Sequence, residues 1–319
     1  MSLSFFGSRP QPRGRDIAGS GGDQARRRSA IGYQTVFFAP AVVVLLAVYI
    51  YPLVDAVRIS FFQWSINRPA FIRFIGIENY LTAATDLEFL RSILNTFTIG
   101  FSALAVQLVL GTGMAVLVAG SFRGKALFRS ILFVPVVLSP VGIGAIWRIL
   151  HNTDVGVVPY LISSLFNLQG FTILSNPHLA RAAIVAADIW QATPFVFIMV
   201  LAALDSASVE QHEAALLDGA TLWQTFAFVT LPLIKPVIVV VTLIRMMDVF
   251  QLFPKIFIMT GGEPGGATDV VSMYIVRYML EFHRSGYSGA LAVLTAAVVA
   301  VVTLGFYRLV GAGSIGRSD

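Results

Sequence analysis

No ionised side chain stands between Arg28 and Asp55, and none stands between Arg91 and Arg123. A helix needs about 20 apolar residues to cross the hydrocarbon core of a bilayer. Inside that core only helices and closed barrels satisfy their own backbone. Thr35 to Ser60 therefore reads as a first membrane helix, and the stretch between Arg91 and Arg123 as a second. Ser130 to about Leu150 reads as a third, carrying Pro135 and Pro140 inside it. Ala180–Leu204, Leu231–Met259 and Ser285–Tyr307 supply a fourth, fifth and sixth. Proline is tolerated in such spans because neighbouring helices satisfy the freed carbonyls. The expected fold is an all-α membrane protein with six transmembrane helices. Only 12% of the 319 residues are charged, about half the share of an ordinary soluble domain, and the mean hydropathy is +0.79.

The chain contains no cysteine, which excludes disulfides, thiolate catalysis and Cys-ligated metals. Residues 1–33 read as a flexible tail carrying Arg9, Arg13, Arg15 and the run Arg26, Arg27, Arg28. The apolar run after it is too long for the core of a signal peptide and lacks a small-x-small cleavage site. Basic residues also set orientation. With the N-terminus inside, twelve Lys and Arg fall on the cytosolic side and nine on the other, with Arg245 inside a helix. Both termini are thus expected in the cytosol, with a membrane domain over 34–311 and a C-terminal tail over 312–319. A net charge of +5 in such a chain serves orientation and does not call for nucleic acid.

The even spacing of spans leaves no room for a soluble catalytic domain. No phosphate-binding loop is present; the string RGKA at Arg123–Ala126 lacks both the first glycine and the hydroxyl. The four histidines, His151, His178, His212 and His283, show no ligand spacing, so no metal site is expected. No catalytic residue emerges either.

Between the fourth and fifth spans runs EAALLDGATLWQTFAFVTLPLIKP, Glu213 to Pro236, within a cytosolic loop over 205–230. Its composition fits a short amphipathic helix capped by Ser208 with Gln211, broken by Gly219 and followed by Pro232 at the next span. Ala214 and Ala215 let another surface approach the backbone, while Glu213 and Asp218 offer charged partners. A helix merely lying on the membrane would show a similar pattern.

This string resembles the EAA loop of the permease subunits of binding-protein-dependent ABC importers. The rest, over about residues 35–308, is similar to the carbohydrate branch, of the maltose and glycerol-phosphate type. Supporting strings are FIGIENY at Phe74–Tyr80, Asn95-Thr96, RGKALFRSILFVP at Arg123–Pro135, DIWQATPF at Asp188–Phe195 and MTGGEPGGATDVVSMYIVRY at Met259–Tyr278. One departure is Glu263, where the family usually has glycine, and it is expected to alter only an external turn. The resemblance implies the type I importer permease fold in a bacterial cytoplasmic membrane. It implies docking of Glu213, Ala214, Ala215, Asp218 and Gly219 in a cleft of an ATPase subunit. Expected partners are a second homologous permease, two ATP-binding cassette subunits, an extracytoplasmic solute-binding protein and membrane lipid. ATP and Mg would be bound by the partner subunits and no cofactor by this chain.

Charged groups inside a span are costly and mark sites by default. Asp188, Gln191 and Phe195 share one face of the fourth helix, and Arg245, Asp248 and Gln251 one face of the fifth. Carboxylates and amides suit hydroxyl-rich solutes, and Trp190 and Phe195 offer flat rings for a pyranose face. The competing reading is a structural ion pair between Arg245 and Asp248, with Asp188 as a second partner. The resemblance implies that the fourth and fifth helices line the translocation path and that Asp188, Gln191, Asp248 and Gln251 match positions near bound sugar; with Trp190, Phe195 and Arg245 they make up the expected substrate path. The expected function is import of a sugar or related polyhydroxylated solute by alternating access. The alternatives are an anionic solute such as glycerol-phosphate, for which Arg245 would serve, or an ion-coupled secondary transporter.

Overall fold

The computed structural model describes residues 38–120, 123–167, 171–206, 211, 214–215 and 217–311. The expectations for both tails, for Ser208 and for Glu213 lie outside these residues. The chain forms two units, Met1–Asp55 and Ala56–Asp319. In the first unit the described residues belong to helix α1, Phe38–Ser60, and its side chains from Phe38 to Val54 are exposed. Exposed apolar side chains of this kind suit a helix surrounded by lipid or by another membrane subunit.

In the second unit a short ribbon follows, with β1 (Phe62–Gln63) antiparallel to β2 (Arg73–Phe74) and Phe62 opposite Phe74. Helix α2 is Glu78–Thr85, and α3, Leu87–Val118, is the longest described helix. Asp86 caps α3 by accepting from the amides of Glu88 and Phe89, and its other oxygen accepts the hydroxyls of Tyr274 and Tyr287, each at 2.7 Å. Burial pushes this carboxyl up, but those hydrogen bonds prevail and hold it below the usual carboxylate range.

The expected third span is not one straight helix. It is α4, Lys125–Val137, and α5, Pro140–Leu150, bent by 95° at the break. Pro135 stays inside α4, whereas Ser139, just before Pro140, is extended at ψ 137°. A residue preceding proline is driven out of the helical region. Helix α6 is Val157–Phe166, and α7, Pro177–Asp205, opens with Asn176 accepting the amides of His178 and Leu179. The fifth span also differs from expectation. Helix α8, Leu222–Val249, stops short, and a separate α9, Phe253–Met259, restarts with Pro254 in its first turn. Helix α10, Val271–Leu280, and α11, Ser285–Phe306, complete the described fold. Among the described residues five helices are long and apolar enough to cross a membrane, and the bent α4–α5 pair makes a sixth span if counted as one.

Helices α3 and α7 pack side by side through the centre. A Cβ on Gly111 would fall 2.6 Å from Val196 Cβ, so the close approach requires glycine there. Phe197, Val200, Leu201, Ile234 and Val241 join Val196 in a buried cluster that ties α8 to this pair. Helix α9 docks through Ile256 and Met259 against Ile184 and Ala187 of α7. At one end of α7, Asp205 pairs with Lys125 (3.2 Å) and Arg129 (2.5 Å) at the start of α4. At the other end, Arg181 donates to the carbonyl of Ala267 and to Asn95 Oδ1, which fixes the glycine-rich loop. Glu263 lies exposed in that loop; its carboxylate accepts from the Gly265 amide and its backbone carbonyl from the Thr268 hydroxyl.

Candidate functional site

The polar faces of α7 and α8 meet at a cleft of about 350 Å³. Asp188, Gln191, Phe195, Arg245, Asp248 and Gln251 all line it, together with Lys255 from α9. The α8–α9 break places Gln251 and Lys255 here: Gln251 lies in the turn after Val249, and Lys255 in the first turn of α9.

Beneath the cleft lies a buried charge network. Asp188 is 3% exposed, and both of its oxygens are occupied. Lys255 Nζ lies 2.6 Å from Oδ1, while Oδ2 accepts from Arg245 Nη2 at 3.0 Å and Gln107 Nε2 at 2.7 Å. Arg245 also donates from Nε to Gln107 Oε1 and from Nη1 to Asp248 Oδ2. Two carboxylates and two cations therefore neutralise each other across three helices, and Gln107 of α3 binds this network to the α3–α7 core. Paired and hydrogen-bonded in this way, the charges avoid the cost of isolated burial.

The cleft floor and its rim differ in what they leave available. Both oxygens of the buried Asp188 are held by protein donors. Asp248 is different: its side chain is 46% exposed, and among the described residues only Oδ2 is engaged. The side-chain amides of Gln191 and Gln251 have no partner among the described residues, and Phe195 presents a half-buried ring beside them. Trp190 is placed otherwise than expected. It does not line the cleft; its exposed ring packs 6.1 Å from Trp147, which stacks on His151. One residue before Gln191 is a turn of about 100° around a helix, enough to aim the side chain elsewhere. Lys255 and Gln107 were missing from the sequence reading. Their signal was a lone ammonium in an apolar run and an amide deep within an uncharged span, both costly in a membrane.

The second candidate surface lies between α7 and α8. The amide of Asp218 bonds to the Ala214 carbonyl and that of Ala220 to the Ala215 carbonyl, each at 3.0 Å, around Gly219 at φ +77°. This is the terminal turn of a helix closed by a left-handed glycine. Ala214, Asp218 and Gly219 are exposed and Ala215 is half-buried. An open hollow of about 610 Å³ is lined by Ala214, Ala215, Asp218, Phe228 and Pro232. Thr221 and Gln224 form a capping box directly after it, which starts α8.

Residues 87–313 match the family described as binding-protein-dependent transport system inner membrane component. The chain belongs to that family. It is a multi-pass membrane permease subunit, and in this family ATP hydrolysis resides in a separate subunit, so the chain is not itself an enzyme. It is 29% identical to the trehalose/maltose transport system permease protein of Thermococcus litoralis, over 89% of this chain and 94% of that one. It is 33% identical to the sulfoquinovosyl glycerol transport system permease protein of Agrobacterium fabrum, over 86% and 89% of the two chains. A chain from the crystal structure of a bacterial ABC transporter involved in the import of the acidic polysaccharide alginate shares the fold. Its TM-score is 0.79 at 24% identity, covering 92% of this chain and all of that one. The type I importer permease architecture expected from the EAA string is thereby shown.

Proposed function

We propose that this permease moves a neutral, hydroxyl-rich solute of the sugar class into the cytoplasm by alternating access, driven by ATP hydrolysis in partner subunits. The observation that carries this reading is the cleft between α7 and α8. Its four charges cancel, and its rim offers two amides, one half-exposed carboxylate and the Phe195 ring. Such groups exchange hydrogen bonds with hydroxyls and cover an apolar sugar face. An anionic solute is disfavoured because Arg245 is already shared between Asp188 and Asp248. The named relatives that carry trehalose, maltose or sulfoquinovosyl glycerol support the sugar class.

The same reading assigns the partners. A second homologous permease closes the path, two ATP-binding cassette subunits bind ATP and Mg, and an external binding protein delivers solute. A solved relative in complex with an alginate pentasaccharide-bound periplasmic protein supports the last of these. The hollow beside Ala214, Ala215 and Asp218 receives the ATPase, with Glu213 as a further contact. Both termini face the cytosol.

The test is reconstitution of the complex in liposomes. ATPase activity should rise only when the binding protein carries its solute. Asp248→Asn should keep assembly and yet lower uptake about tenfold, the scale of one charge-assisted hydrogen bond. Wild-type uptake by the variant would remove Asp248 from the path.

Orientation is checked by cysteine labelling, which the cysteine-free chain permits. An impermeant maleimide applied to intact cells should label Glu263→Cys and leave Leu222→Cys unlabelled; both positions are exposed. Thr268 is unsuitable, being fully buried with its hydroxyl bonded to the Glu263 carbonyl. The reverse labelling pattern overturns the orientation.

A further inference from the structure

Away from the cleft, a cavity of about 500 Å³ opens beside the β1–β2 ribbon. Arg68, Arg73 and Arg284 line it, with Trp64, His283 and Tyr287, and no carboxylate does. Transport as proposed above makes no use of this place.

Three features give the cavity a chemical character. First, it is rich in donors. All three arginines are exposed, and Arg68 and Arg73 have no side-chain partner among the described residues. Arg284 is held over the Tyr287 ring at 4.9 Å, which fixes its guanidinium without supplying an anion. The Trp64 Nε1, which can only donate, is buried without an acceptor. Second, the cavity lies at the ends of membrane spans. Arg284 immediately precedes α11, the amide of Gly286 in its first turn bonds to the Trp64 carbonyl, and α1 ends at Ser60, just before β1. Span ends lie at headgroup depth, where Trp and Arg concentrate. Third, its flanks are apolar and uncovered. Phe71 is 77% exposed, Phe74 68% and Ile72 57%, on the same ribbon as the arginines.

Guanidinium forks match phosphate oxygens. Here they sit at headgroup level beside side chains suited to acyl chains. We propose that this cavity binds the phosphate of an anionic phospholipid, with Arg68, Arg73 and Arg284 around the phosphodiester and Phe71 and Ile72 against the chain. Under the orientation given above, the lipid belongs to the outer leaflet. A soluble anion would have no use for the apolar flank, and a protein carboxylate would have to reach it at the level of the lipid headgroups.

The assembled complex, in nanodiscs of phosphatidylcholine with or without phosphatidylglycerol, provides the test. Phosphatidylglycerol should raise the thermal midpoint and remain bound in native mass spectrometry. Arg68→Gln with Arg73→Gln should weaken lipid retention by about fivefold per charge removed. Both side chains are exposed, so the fold should persist. Arg68→Lys with Arg73→Lys, which keeps charge and loses the fork, should fall between. Arg308→Gln, at the far end of the same span as Arg284, should retain lipid as the wild type does. Equal retention by the double glutamine variant overturns the proposal, as does an equal loss with Arg308→Gln. So does the same stabilisation by inorganic phosphate alone, which would make this a free-anion site. If docking of the binding protein weakens while lipid retention is unchanged, the cavity serves a protein carboxylate and the proposal fails. None of these readouts depends on transport, so the sugar reading stands or falls separately.

Discussion

Asp188→Ala should abolish accumulation of the assembled permease, where Asp248→Asn leaves assembly intact. Asp188 is the one group that holds both buried cations, with Lys255 at 2.6 Å and Arg245 at 3.0 Å. Removing it leaves two positive charges to a single carboxylate, Asp248, which reaches only Arg245. Breaking a buried pair costs about 3–5 kcal/mol, because the surviving charge is stranded. That approaches the whole stability of a typical domain, about 5–15 kcal/mol. The helices affected are α7, α8 and α9, with α3 attached through Gln107. Complex yield by fluorescence-detected size exclusion, with a thermal midpoint, reads the effect. Asp188→Asn combined with Lys255→Met should restore most of the yield, since one cation then faces one carboxylate and the amide keeps the Gln107 contact. If Asp188→Ala assembles normally and loses only uptake, the aspartate acts on solute and not on the helices.

The same residues show how far a sequence of this kind can be read. Long apolar runs fix the spans because the cost of a charge in hydrocarbon leaves few alternatives; α3 and α11 follow such runs closely, and α7 follows one interrupted by Asp188. The breaks were harder to see. Pro135 and Pro140 are both prolines in apolar sequence, yet only the second interrupts the helix. Tertiary packing settles that difference: α5 turns to lie on α9, with Gly144 against the Lys255 carbonyl and Arg148 bonded to the Ile258 carbonyl. The cleft was legible in part, since Asp188, Gln191, Phe195, Arg245, Asp248 and Gln251 carry a helical period. Their division of labour was not. The partners of Asp188 lie 57, 67 and 81 residues away, and only the first of them, Arg245, was within reach of the sequence reading. Trp190 was drawn in by its neighbours in sequence, though a helix turns adjacent side chains apart.

The other large effect belongs to Gly219. Its φ of +77° is a left-handed conformation that closes the helical turn through the Ala220 amide and the Ala215 carbonyl. Proline fixes φ near −65°, so Gly219→Pro cannot keep this path. The chain must leave the turn in another direction, which moves Ala214, Ala215 and Asp218 relative to α8. No atom lies within 4 Å of a Cβ added at Gly219 and the residue is exposed, so the disturbance should stay local to the turn and leave the membrane helices folded. Expected results are normal amounts of inserted chain, loss of the ATPase subunits from affinity-purified complexes, and uptake at background. Gly219→Ala should show a partial defect, because a non-glycine residue in this conformation costs roughly 1–2 kcal/mol and does not forbid it. Asp248→Asn serves as the counterpart, since it should lower uptake while the ATPase subunits remain attached. Loss of ATPase association in one variant and of solute movement in the other would separate the coupling surface from the cleft. Wild-type uptake by a stably assembled Gly219→Pro complex would instead show that the turn at Gly219 plays no part in docking.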